Sequence, residues 1–140
     1  MFSVIIPTLN EEKYLPRLLE SIEQQKLRPA EIIVADNHSK DRTRDIAKEH
    51  GCIVVDGGFI SEARNRGAAV ASQDILVFLD ADTVLPDRNT FSQLIGTFIA
   101  KDADIGSCYA KNIKDESPLP TPSHVMFNTT KRLNKLTYRT

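Results

Sequence analysis

The chain has 140 residues, enough for one domain with a real core. Hydrophobic residues at 41% and charged residues at 26% are ordinary for a soluble globular protein. The formal net charge of −1 lacks the basic surplus of a nucleic-acid-binding surface, and no stretch is apolar for long enough to span a bilayer. Cys52 and Cys108 form neither a metal-binding spacing nor a disulfide framework, and their apolar neighbours suit small buried hydrophobes. With a strand beginning almost at Met1 there is no room for a signal peptide, so a cytoplasmic protein is expected.

In chain order, Phe2–Ile6 reads as a strand that ends at Pro7. Tyr14, Leu15, Leu18, Leu19 and Ile22 then recur at helical spacing through Gln25, and Pro16 is tolerated only because it falls near the helix start. Glu31–Ala35 is a second buried strand ending at Asp36. A helix from about Asp41 to His50 stops at Gly51, and Ile53–Val55 is a third strand. Ser61–Ala71 is a helix of small residues, and Ile75–Leu79 is the fourth strand. Phe91, Leu94, Ile95 and Phe98 mark another helix, with a weaker strand near Ile105–Tyr109. Strands alternating with helices predict an α/β fold with a mostly parallel sheet covered on both faces.

The chemistry concentrates at Asp80-Ala81-Asp82, directly after the fourth strand. Side chains at i and i+2 project to the same side, so the two carboxylates can converge where open α/β sheets bind ligands. A hard divalent cation is commonly held there by one or two carboxylates together with substrate phosphates. Taken alone, a pair of aspartates after a strand is also ordinary turn chemistry. Two other strand ends carry polar clusters, Pro7–Glu11 and Asp36–Thr43, and in a parallel sheet all three share one edge. Individually, Asn10 and Asp41 read as N-cap residues and Ser39 as a turn former.

The segments Val4–Glu11, Glu31–Thr43, Ala63–Gly67 and Phe78–Asp82, in this order, resemble family 2 glycosyltransferases of the GT-A fold. The resemblance covers roughly residues 2 to 110 and implies a nucleotide-diphospho-sugar-binding, Rossmann-like domain. By position it places Asp36 on the nucleobase and Pro7, Thr8 and Glu11 around the nucleoside. Arg64 falls near the diphosphate and sugar. Asp82 is implied as a metal ligand, with Asp80 nearer ribose, sugar or metal-bound water. Mg²⁺ or Mn²⁺ suits the all-oxygen donors, since an acidic pocket needs a cation to hold a diphosphate. His38 stands where many relatives carry Gly or a small polar residue, and it is given no catalytic part.

The implied reaction moves a sugar from a UDP- or GDP-sugar to an acceptor hydroxyl, with inversion, on a glycan or lipid-linked acceptor. The acid that would serve as general base in such enzymes is expected beyond Thr140, since Asp102, Asp104, Asp115 and Glu116 read as surface charges. Residues 1–116 are thus expected to form the donor-binding core. Residues 117–140 would be a Pro-rich linker and an amphipathic helix opening an acceptor-binding part. On that helix Met126, Phe127, Leu133 and Leu136 oppose Lys131, Arg132, Lys135 and Arg139. The pattern suits either packing against the rest of the protein or contact with an anionic membrane surface. Two other readings compete: a nucleotide-sugar-binding fragment without turnover, and a haloacid-dehalogenase-type phosphatase using Phe78–Thr83 as its nucleophile motif.

Overall fold

The computed structural model describes residues 1–112 and 122–129, with side chains through residue 106. The elements run β1 (Phe2–Thr8), α1 (Leu15–Glu23), β2 (Glu31–Asp36), α2 (Thr43–Glu49), β3 (Ile53–Asp56), α3 (Ile60–Val70), β4 (Ile75–Phe78), β5 (Thr83–Val84), α4 (Thr90–Ala100), β6 (Ile105–Asn112) and β7 (Pro122–Thr129). They form one seven-stranded sheet in the order β3-β2-β1-β4-β7-β6-β5. The first four strands are parallel, as the alternation of strands and helices requires. The last three join antiparallel, which the sequence reading anticipated only in the weak strand that became β6.

The alternating strand residues divide between two faces. Val4, Ile6, Val34 and Val77 pack with Leu15, Leu18, Leu19 and Ile22 of α1, Ile46 and Ala47 of α2, and Phe91, Ile95 and Phe98 of α4. Phe2 meets Phe91 edge to face, with ring centroids 4.9 Å apart. Ile5, Ile33, Leu76 and Phe78 form a smaller cluster on the opposite face, with Ala68 and Ala71 packed against it. The small residues of α3 let this helix approach the sheet closely. A Cβ on Gly67 would lie 2.5 Å from Ile5 Cγ2, so α3 sits against β1 at a distance only glycine permits.

The helix expected from Ser123 gives way to a strand in its first half. Residues 122–129 form β7, with Met126 opposite Phe78 and Phe127 opposite Val77 in register. A short apolar run cannot be assigned to helix or strand by periodicity alone, and here the open edge of β4 decides it. Leu133, Leu136 and the basic residues from Lys131 to Arg139 lie outside the described residues, as do Asp115, Glu116 and the segment 117–121. The side chain of Cys108 is also outside them. Cys52 is a half-buried free thiol, and burial pushes its pKa up to about 12, as befits an inert packing residue. No helix among the described residues is long and apolar enough to cross a membrane.

Candidate functional site at the switch point of the sheet

The chain moves from β1 outward through β2 to β3, then returns to place β4 on the other side of β1. That reversal opens a crevice beyond the carboxyl ends of β1 and β4, where open α/β sheets bind ligands. A cavity of about 660 Å³ occupies it. Pro7, Thr8, Glu11, Arg64, Asp80 and Asp82 line this cavity, so segments distant in sequence meet as the strand ends predict. Asp36 does not line it.

Asp36 is fully buried. Its Oδ1 accepts from Thr8 Oγ1 at 2.8 Å and from the Ser39 hydroxyl, and its Oδ2 accepts from Ser39 N at 2.9 Å. Arg44 Nη1 adds a longer contact to Oδ2 at 3.4 Å and reaches Asp56 at 2.9 Å. Strand alternation explains the placement: Asp36 pairs in register with Thr8 and turns inward, while Asn37 after it turns outward. Asn37 lines the cavity in its place. The sequence reading passed over Asn37, and the signal that could have found it is its position one residue past a strand end whose last residue faces in.

The loops after β1 and β2 are laced together. Asn10 N donates to Ser39 Oγ, Lys40 N to Asn10 Oδ1, Glu11 N to Thr43 Oγ1, and Glu12 N to Asp41 Oδ2. Asn10 and Ser39 thus serve as cross-links between loops; α1 starts at Leu15, well past Asn10. Asp41 accepts from Thr43 N and Oγ1 at the start of α2 from one residue before the cap; the N-cap position itself is Arg42, whose side chain makes no capping bond. Burial pushes the Asp41 carboxyl up, but the bonds from Thr43 and Glu12 N outweigh it and hold it below its ordinary value. His38 adopts φ of +51°, a backbone region in which Gly is at ease, which accounts for the small residues expected at its position.

Across the cavity, Asp80 follows the last buried residues of β4, and Thr83 N closes a turn onto Asp80 O at 3.0 Å. Arg64 reaches over from α3, where buried Ala63 and Gly67 hold the helix on the sheet, and Nη2 donates to Asp80 Oδ1 at 3.0 Å. Both side chains keep about a third of their surface open, 31% for Arg64 and 38% for Asp80. Gly58, Phe59 and Ile60 complete the wall. These three had no part in the sequence reading, and Phe59 is 82% exposed.

Three carboxylates and one guanidinium therefore line the cavity. Asp80 and Asp82 both line it and offer hard oxygen donors, a set that fits Mg²⁺ or Mn²⁺ sharing its shell with phosphate oxygens. Among the described residues no group of three or more His, Cys, Asp or Glu gathers to hold a metal.

An α/β sheet whose first four strands are parallel, with an acidic cavity at its switch point, has the architecture of an open α/β ligand-binding domain. The profile of glycosyl transferase family 2 matches residues 3–139, and the chain belongs to that family. The phosphatase reading of Phe78–Thr83 falls with that membership. The chain is 39% identical over 105 residues to 4,4'-diaponeurosporenoate glycosyltransferase of Staphylococcus haemolyticus, covering 69% of this chain and 28% of the relative. It is 31% identical over 125 residues to an O-antigen chain rhamnosyltransferase of Salmonella typhimurium, covering 84% and 39%. The crystal structure of S. aureus TarS 1-349 superposes with a TM-score of 0.71 at 21% identity, over 95% of this chain and 48% of that one. Glucosyl-3-phosphoglycerate synthase from Mycobacterium tuberculosis, in complex with Mn²⁺, uridine diphosphate and glucosyl-3-phosphoglycerate, superposes at 0.63 with 29% identity, over 75% and 42%. The chain thus spans less than half the length of these relatives.

Proposed function

We propose that this domain binds a nucleoside-diphosphate sugar together with Mg²⁺ or Mn²⁺ and presents it for transfer to an acceptor hydroxyl. The observation that carries the reading is the cavity at the switch point, lined by Asp80, Asp82 and Arg64 beside the strand-one loop. Family membership and the Mn²⁺–UDP complex of a structural neighbour support it. The nucleoside lies along Pro7, Thr8 and Glu11, and Asn37 faces the base. Asp36 is assigned a supporting part, since its carboxylate is already occupied by Thr8, Ser39 and Arg44. Asn37 carries both an amide donor and a carbonyl acceptor, which suits the polar edge of a base.

Asp82 and Asp80 would hold the cation, and the cation when bound neutralises charge on the departing diphosphate. Arg64 supplies a second positive charge at the same point, in the planar form that recognises phosphate. In the transfer, the acceptor oxygen forms its bond to the anomeric carbon as the bond from that carbon to the phosphate oxygen breaks. Attack opposite the leaving group inverts the centre, and the acceptor proton passes to a carboxylate base. The acceptor is a glycan or a lipid-linked hydroxyl, in keeping with the O-antigen and diaponeurosporenoate enzymes the chain resembles. The competing reading, a nucleotide-sugar-binding unit without turnover, uses the same cavity and differs only in lacking the base.

Calorimetric titration with UDP-glucose and GDP-mannose, with and without Mn²⁺, tests the proposal. Manganese-dependent binding of either donor is expected. Binding that ignores the metal, or no binding to either donor or to free UDP, would overturn it.

A further inference from the structure

The contact between Arg64 and Asp80 carries more than a charge balance. Asp80 is one of the two carboxylates assigned to the cation, yet its Oδ1 already accepts a hydrogen bond from Arg64 Nη2 at 3.0 Å. The guanidinium therefore already holds one oxygen of a carboxylate that a metal would draw on. At the same time Arg64 Nε is buried and has no hydrogen-bond partner among the described residues. A buried N–H without an acceptor is costly, and an arginine presents its donors as a planar fork suited to a phosphate. One arm of the fork is engaged with Asp80 and the neighbouring donor has nothing to hold.

We infer that Arg64 is a built-in competitor for the cation: it occupies Asp80 while the cavity holds no donor, and it releases that carboxylate when a diphosphate offers it acceptors. This rests on the assignment of the cavity to a metal and a nucleoside diphosphate. The side chain alone has to move, because α3 is fixed by the contact of Gly67 with Ile5 and by buried Ala63. The consequence is energetic coupling between two ligands. Metal alone must displace Arg64 from Asp80, whereas metal arriving with nucleotide finds Arg64 drawn to the phosphates. Nucleotide thus tightens metal and, by reciprocity, metal tightens nucleotide by the same factor. The ion pair is partly exposed, so the barrier it sets for free metal is modest, about three- to fivefold in affinity.

The test measures Mn²⁺ affinity of the full chain by electron paramagnetic resonance, without UDP and with UDP, correcting for the Mn²⁺ that UDP binds in solution. Wild type, Arg64→Met, Arg64→Lys and Asp80→Asn are compared. Arg64→Met is expected to bind Mn²⁺ alone about three- to fivefold more tightly than wild type and to lose most of the gain that UDP confers. Arg64→Lys keeps a cation beside Asp80 without the fork, so it should still resist free Mn²⁺ while losing UDP affinity. Asp80→Asn should weaken Mn²⁺ in every condition. If Arg64→Met binds Mn²⁺ alone no better than wild type while Asp80→Asn weakens it, the competition is absent and the metal site stands. If wild type takes up no Mn²⁺ even with UDP, the assignment of the cavity itself fails, and this inference with it.

Discussion

Asp36 and Asp80 both stand at the carboxyl ends of parallel strands on the same edge of the sheet, and the fold uses them in opposite ways. Asp36 is sealed, its oxygens accepting from a threonine and a serine and touching an arginine. Asp80 is open to a cavity and held by a single arginine that is itself one-third exposed. The loop after β2 is a welded structure in which side chains replace missing strand hydrogen bonds. The turn after β4 keeps its carboxylates accessible. Residue type and sequence position do not separate the two; the supply of neighbouring donors does. Where donors are abundant, a carboxylate becomes part of the frame, and where they are few it stays available to a ligand.

The sharpest way to break this contrast is to exchange the costs. Asp36→Ala removes the acceptor for Thr8, Ser39 and Arg44 from a buried position and should lower unfolding stability by about 3–5 kcal/mol. Urea denaturation measures it, and a loss under 1 kcal/mol would show that Asp36 is not structural. Next in size, Asp82→Asn should weaken Mn²⁺-dependent donor binding by about 100-fold or more, at or above the loss seen when outer partners of a metal site are removed. Its melting temperature should stay within a few degrees of wild type. A large drop in melting temperature with unchanged donor binding would place Asp82 in the frame beside Asp36.

The smallest effect concerns pH. The Asp41 carboxyl is held below its ordinary value of 3.8, so its contribution is fully present above that value and is lost as pH falls through the lower folded value. Stability against urea should therefore decline below about pH 4, and Asp41→Asn should flatten that part of the curve. Glu31 behaves in the same sense at the opposite edge of the sheet. Burial pushes its carboxyl up, and hydrogen bonds from Ser3 and Ser72 overcome this and lower it. Equal slopes for wild type and Asp41→Asn would remove Asp41 from the acid response.

The parallel half of the fold was legible because each of its strands is a short branched run bounded by turn residues, and α1 and α4 show their apolar spacing. The meeting of Pro7–Glu11 with Asp80–Asp82 followed from the rule that strand ends share an edge. Two things escaped. One was the orientation of Asp36 against Asn37, a difference of one residue that depends on which face of β2 looks toward Thr8. The other was β7, whose Val125-Met126-Phe127 core is too short to declare its period and whose state is set by the unfilled edge of β4. Phe59 and Ile60 gave no sign in sequence, since exposed apolar residues at a helix start have no pattern of their own.

That filled edge of β4 also bears on how the chain is made. β4 is central, with β1 on one side and β7 on the other, and β7 lies far downstream of it. A nascent chain that has emerged only as far as Asn112 has its four parallel strands but leaves the outer side of β4 without a pairing partner. An apolar strand with an open row of amides is a template for other chains. Synthesis of residues 122–129 closes that edge, so the interval between the two strands is a window of exposure to aggregation. Release of a fragment ending at Asn112 should yield self-associating material, and a longer chain that includes residues 122–129 should restore a monodisperse product.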